Sequence, residues 1–587
     1  MIRHLALTGL ALLALSGCHS AHAPEDFGPL AEEFVYSTLE FSPVSATAAG
    51  YHQRPGKNLD EMLDDFSPEA LEAQRRFYYG FRERLGKLNP AGWGAEDRAD
   101  YGIVLDQIEL ALLELDHVRS YRHNPTLYVE SAGNAMFSPY VLEYAPAPVR
   151  MRHITARLEK LPSFLVTARR NLEDSPPIWT QVALDENAGN IELIDHTIRA
   201  AVPSSLRGAY GRAAAPALEA LRAFGAWLKS DLKPASEDAW RLGPDKYREK
   251  FRLVLGTERT PDQVLEAAEA DLGAVRARML ELAGPLHRKW FPEHGAHADP
   301  NVAIREVLGK IALRHALPET YIDEAKRDLE AARTFVRGRG LLPLPPRQNL
   351  QVIETPRFLR GIYAVGGFVP APALEPRLGA FYWITPIPPE WPAERKESKL
   401  REYNYYKLNL LTLHEAVPGH YVQAEYANDI DPSSRRLLRA VFGNTPYIEG
   451  WAEYATQTML DAGYLDNSPE LRLTFQKEEL RVLANAILDI RLHTRGMTGQ
   501  QAVALMTGQT FQEIEEATAK LQRAQLSSCQ LPAYFVGWRG WLRVRDEFHQ
   551  FVGDEFDLAE FHHWALDEGA VPLSMLGRLL DAKTAGQ

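Results

Sequence analysis

Two cysteines in 587 residues, Cys18 and Cys529, leave this chain without a disulfide framework, so its stability must come from packing. Basic residues are fewer than acidic ones, 65 against 78, for a formal charge of −13. A phosphate backbone needs a basic surface, and no nucleic-acid partner is expected. Beyond the N-terminal segment no stretch approaches about eighteen consecutive apolar residues, which excludes a membrane-spanning helix in the mature chain. Internal repeats and low-complexity tracts are also lacking. What remains is an ordinary composition, 45% hydrophobic and 24% charged, with chain enough for a large core.

Arg3 and His4 followed by the apolar run Leu5 to Leu15 read as an export signal, too short to span a bilayer as a mature helix. Leu15-Ser16-Gly17-Cys18 has the form of a bacterial lipobox, in which the chain is cut before the cysteine and the new terminus is acylated. Residues 1–17 are therefore read as a lipoprotein signal peptide and 18–26 as a flexible tether. The expected location is the cell envelope, facing the periplasm, with membrane contact only through the lipid on Cys18.

From Glu25 to about Leu341 apolar residues recur at three-and-four spacing, as in Ala70 to Leu88, Asp97 to Leu115, Ala147 to Leu172, Leu265 to Leu282 and Pro300 to Ala316, which predicts helices packed by their apolar stripes. Proline clusters at 342–346 and 386–392 interrupt this pattern. Between them Gln351 to Glu354 and Gly379 to Ile384, rich in β-branched and aromatic residues, predict a small sheet, with Gly366-Gly367 as a turn. Arg435-Arg436-Leu437-Leu438-Arg439 is the densest basic patch near the motif described next and reads as a solvated helix face.

The chemistry concentrates in Leu413-His414-Glu415-Ala416-Val417-Pro418-Gly419-His420 and in Glu449-Gly450-Trp451-Ala452-Glu453-Tyr454. Two imidazoles and a carboxylate are a zinc donor set, and a carboxylate beside the first histidine suits proton transfer. In the common H-E-x-x-H arrangement the histidines share a helical face four residues apart. Here they are six apart, which in a regular helix would splay them by about 120° and separate them by about 9 Å along the axis. Pro418 cannot donate to the His414 carbonyl and Gly419 has wide conformational freedom, so the sequence predicts a break that returns His420 to the face of His414. Asn444-Thr445-Pro446 reads as a helix start that puts Glu449 and Glu453 one turn apart. Glu449 is assigned as the third ligand and Glu453 as the acceptor for the free N–H of a ligand histidine.

H-E-A-V-P-G-H, E-G-W-A-E-Y and the C-terminal F-H-H-W-A-L-D-E-G-A-V-P-L together resemble the bacterial domain-of-unknown-function 885 family, which is similar to zinc metallopeptidases of the glutamate-ligand type. The resemblance runs from near Phe41-Ser42-Pro43 to the end and is specific in the last third. Members often carry a second histidine after Gly-His where this chain has Tyr421, which argues against a ligand there. Met497, beside Thr498 and Gln501-Ala502, stands where the family suggests a tryptophan. Asp489 and His493, four apart on a helix, are read as outer residues of the site, with a structural ion pair as the alternative. Tyr534, in a stretch similar to the family's, is a candidate oxyanion donor, with a core tyrosine as the alternative. His562 and His563 lie in another such stretch without a readable role.

The expected architecture is one mostly α-helical unit enclosing a deep cleft, with the small sheet beside the metal-site helix: residues 27–345 as an N-terminal helical region and 346–587 as the catalytic region. In metallopeptidases with this kind of site an edge strand often pairs with the substrate backbone, and residues 380–385 are the candidate. The expected activity is zinc-dependent peptide hydrolysis with Glu415 as general base. A zinc amidohydrolase acting on a non-peptide or cell-wall amide and a non-catalytic envelope scaffold are the alternatives.

Overall fold

The computed structural model describes residues 27–585 apart from 296, 298, 356–359 and 361–364. The signal peptide, the tether and Cys18 lie outside the described residues. The fold is mostly α, 72% helix and 4% strand. Helices Pro68–Leu85, Ala95–Leu113, Ala147–Asn171, Pro261–Trp290 and Pro300–Ile311 occupy the stretches with helical periodicity. Several starts are set locally. Thr260 and Gln263 form a reciprocal capping box ahead of Pro261, and Ser468 accepts from the Leu471 N–H ahead of Pro469. Among the described residues no helix is long and apolar enough to cross a membrane.

One hydrophobic core draws on both sides of residue 345. Pro261–Trp290 packs against the long helix Pro469–Thr494, and Phe27–Phe41 against Ser433–Val441. A second core is formed by Thr126–Val141, Ala147–Asn171 and Arg207–Ser230.

A three-stranded sheet joins the two cores. Its strands are β3 (Leu350–Glu354), β4 (Gly366–Val369) and β5 (Ala380–Ile384); a short hairpin of β1 (Gln53–Arg54) and β2 (Lys57–Asn58) stands apart. β5 is central, parallel to β3 and antiparallel to β4. Side chains alternate across a strand, so Ala380, Tyr382 and Ile384 enter the first core while Phe381 and Trp383 enter the second.

Three expectations are corrected here. Residues 380–384 are not an edge strand, because both of β5's backbone edges are already paired; β3 and β4 are the two edges. Gly366-Gly367 lies in β4 rather than in a turn, and a Cβ on Gly366 would sit 2.3 Å from the Trp383 carbonyl oxygen. The basic patch is not solvated. Arg435 bonds Glu96, Asp97 and Asp100, and Arg439, 1% exposed, bonds Asp100 and lies against Glu568. The acidic first turn of Ala95–Leu113 docks on these arginines, which neutralises cations that burial would otherwise penalise.

Candidate metal centre

Asn404 caps the helix Tyr405–Glu415, accepting from the N–H groups of Tyr406 and Lys407. This helix is fixed to the sheet where the Tyr382 hydroxyl meets Thr412 Oγ1 at 3.2 Å. It ends at Glu415, and a new helix starts at His420 and runs to Ala427, so the chain breaks between the two histidines. In the break the Gly419 N–H donates to the Leu413 carbonyl at 2.9 Å. A Cβ on Gly419 would fall 1.9 Å from the His414 carbonyl oxygen, so only glycine permits this approach.

The carboxylates come from the helix Thr445–Asp461, capped by Asn444. The same helix carries Trp451, fully buried, whose indole N–H donates to the carbonyls of Pro418 and Gly419 at 2.9 and 3.2 Å. It therefore presents Glu449 and also pins the break that turns His420 back. The outcome is that one ligand atom from each of His414, His420 and Glu449 lies within 4.8 Å of the others.

Glu449 Oε2 stands 3.7 Å from His414 Nε2 and 3.4 Å from His420 Nε2, and the oxygen is buried with no hydrogen bond. These separations are too long for good hydrogen bonds. They match the edge of a tetrahedron: bonds of about 2.1 Å to one zinc ion put ligand atoms about 3.4 Å apart. The two rings meet nearly edge to face, 4.7 Å between centroids. The three side chains are 11–17% exposed, reachable from solvent yet mostly enclosed. The donor set and its spacing fit a zinc ion.

On the far side of the His414 ring, Nδ1 faces Glu453 Oε1 at 3.6 Å. Burial works against a charged His414, but Glu449, Glu453 and Glu415 outweigh it and hold its pKa up at about 9. Burial likewise opposes ionisation of Glu449, and the two imidazoles overcome it, keeping the carboxyl well below its usual range. Glu453 is raised by burial, with the charges of His414, Glu478, Arg481 and Lys407 around it. Lys407 pairs with Glu478, which also accepts from Arg481 at 3.1 Å, so Glu453 sits beside an internal ion network.

Tyr534 lies in the first turn of the helix Pro532–Val552, its ring near-parallel to His414 at 6.4 Å between centroids. Arg523 donates to its hydroxyl at 3.5 Å. Burial and the Glu449 carboxylate push the phenol well above its ordinary pKa, so it keeps its proton.

Asp489 and His493 are not brought to this cluster. Asp489 accepts from the Tyr247 hydroxyl at 2.6 Å and from the Cys529 N–H at 3.0 Å. His493 Nε2 donates to the Ser527 carbonyl while Nδ1 accepts from the Leu242 N–H, a neutral imidazole. The pair is a buried polar joint that fixes the chain just ahead of Pro532 and hence of Tyr534. His562 is also structural. Its Nδ1 donates to the Leu341 carbonyl and its Nε2 accepts from the Tyr454 hydroxyl at 2.8 Å. Sequence reasoning missed Trp451 and Arg523. Trp451 was visible in E-G-W, but an indole's carbonyl partners cannot be read from spacing.

The chain belongs to the family described as bacterial protein of unknown function (DUF885), which matches residues 43–580. It is similar to the solved structure of a "putative lipoprotein of unknown function" from Shewanella oneidensis, with 27% identity and a TM-score of 0.77 over 95% of this chain and 100% of that one. A second, described as "the putative lipoprotein" from Colwellia psychrerythraea, shares the fold at 18% identity, with a TM-score of 0.76 over 96% of this chain and 100% of that one. No curated protein matches the chain.

Proposed function

We propose that this protein is a zinc-dependent peptidase of the bacterial cell envelope. The observation that carries the reading is the convergence of His414, His420 and Glu449, with an unbonded Glu449 oxygen near tetrahedral-edge spacing from the Nε2 of each histidine and Glu415 next in sequence to the first ligand. Zinc held there would supply a Lewis acid for a substrate carbonyl and make a water acidic enough to ionise near neutral pH. Glu415 takes the proton from the attacking water and delivers it to the departing amine. Tyr534, kept protonated, donates a hydrogen bond to the oxyanion that forms on the scissile carbonyl. Glu453, whose Oε1 stands 3.6 Å from His414 Nδ1, is placed to favour the tautomer whose Nε2 lone pair faces the ion.

β4 is the strand positioned to pair with a peptide. It is one of the two sheet edges, and unlike β3 it carries a ring onto the site: Phe368 packs against both His420 and Tyr421, at 6.4 and 6.2 Å between ring centroids. Lipid anchoring at Cys18 and a periplasmic orientation are supported by the lipobox and by the lipoprotein description of the Shewanella relative.

The deciding experiment is zinc analysis of the purified protein together with a digest of mixed unmodified peptides. Bound zinc and peptide cleavage are expected. Zinc with no cleavage of peptides but release of amines from cell-wall fragments would replace peptides by wall amides, and a protein that takes up no zinc would leave a scaffold.

A further inference from the structure

Far from His414 in sequence, three histidines occur within residues 287–297, and the fold gathers them with one carboxylate. We propose that His287, His294, His297 and Glu306 form a second metal site, for a single divalent first-row ion such as zinc. It joins the end of the helix Pro261–Trp290, the connection after it and the helix Pro300–Ile311.

His287 is in the last turn of the first helix and 4% exposed; Glu306 is in the middle of the second. Glu306 Oε2 lies 2.5 Å from His287 Nε2 and 3.0 Å from His297 Nε2, and Oε1 lies 2.9 Å from His294 Nδ1. All four donor atoms are within 4.8 Å of one another. The three rings surround this point, with centroids 5.0, 6.2 and 6.3 Å apart. Three imidazoles bound at about 2.0–2.1 Å to one tetrahedral ion have ring centres about 5–6 Å apart, so only small ring movements separate this arrangement from a coordinated one. Phe291 packs on His287 and His294, at 5.4 and 5.3 Å, and supports both rings. Side-chain exposures of 23–38% for His294, His297 and Glu306 give an ion a way in.

The donor chemistry selects the ion class. Three imidazoles and one carboxylate suit zinc and its neighbours, whereas calcium and magnesium favour all-oxygen sites. Four protein ligands complete a tetrahedron and leave no position for substrate, so the ion is a structural clasp. The site differs in this from the His414 cluster, where three protein ligands leave a fourth position open.

The test is zinc content of the full chain, equilibrated with excess zinc and desalted, for wild type, H294A/H297A, E306Q and H414A/H420A. Two equivalents are expected for wild type, and one for H294A/H297A with unchanged helix content by circular dichroism. E306Q, which keeps the side-chain shape, should hold its second equivalent at least tenfold more weakly. The rise in Tm caused by zinc should shrink in both variants. Wild-type zinc content in H294A/H297A would overturn the proposal, as would a single wild-type equivalent abolished by H414A/H420A alone. A single equivalent abolished by H294A/H297A alone would uphold this site and remove the peptidase reading instead.

Discussion

Gly450 and Gly537 pack backbone to backbone: a Cβ on Gly450 would sit 2.2 Å from the Gly537 carbonyl carbon, and one on Gly537 would sit 2.0 Å from the Pro446 carbonyl oxygen. This contact sets the distance between the helix that presents Glu449 and the helix that presents Tyr534. Gly450→Ala must push the two helices apart. It should lower stability by about 1–3 kcal/mol, the usual cost of overpacking, and reduce turnover by misplacing Tyr534. Gly211→Ala, in a helix with open space around it, is the control and should be neutral or slightly stabilising. Thermal unfolding of both variants checks the pair, and an unchanged Tm for Gly450→Ala would contradict the contact.

The three glutamates of the cluster should separate by role. Glu415→Gln keeps zinc and loses turnover by about 10²–10⁴-fold or more. Glu449→Ala loses turnover together with the zinc equivalent of the His414 cluster, whereas Glu453→Ala weakens that equivalent by roughly 10–100-fold. Zinc stoichiometry and peptide turnover on the same preparations decide it. Wild-type zinc affinity in Glu449→Ala would show that the third ligand is another residue.

Tyr534→Phe removes one donor and leaves the ring. The expected result is retained zinc with kcat reduced by about 10²–10³-fold and little change in KM. A variant with wild-type kcat would leave Tyr534 as a packing residue.

His562 makes stability depend on pH. Burial depresses its pKa from 6.5 to about 4, so the unfolded chain binds a proton there that the folded chain refuses. This stabilising contribution is complete above pH 6.5 and is lost as pH falls towards 4. In urea unfolding across that window, His562→Gln should show a stability slope shallower by up to one proton than wild type. Parallel slopes would mean that His562 takes up its proton in the folded state.

Cys18→Ser should abolish labelling by a radioactive fatty acid and release the protein from the membrane fraction. Persistent label would place the lipid elsewhere.

Much of the site was legible because its chemistry is local. Histidines six residues apart on a regular helix cannot share one ion, and Pro418-Gly419 shows where the helix gives way. Asp489 and His493 misled because four-residue spacing on a helix is shared by metal ligands and by buried polar joints; the apolar residues that surround them in Leu483 to Leu492 were the available sign of the second. The central place of β5 is itself legible: Ala-Phe-Tyr-Trp-Ile has no polar alternation, which is the pattern of a strand covered on both faces. Arg435 and Arg439 read as solvated from sequence because their partners Glu96, Asp97 and Asp100 lie more than three hundred residues away.

The placement of β5 between the two cores has a further effect on how the chain finds its fold. Sliding this strand by one position would send Phe381 and Trp383 into the space shaped for Tyr382 and turn Tyr382 away from Thr412. Each core thus proofreads the alignment from its own side. Because the Tyr382 hydroxyl reaches the helix that ends in His414, a misaligned sheet would also leave the histidine without its anchor.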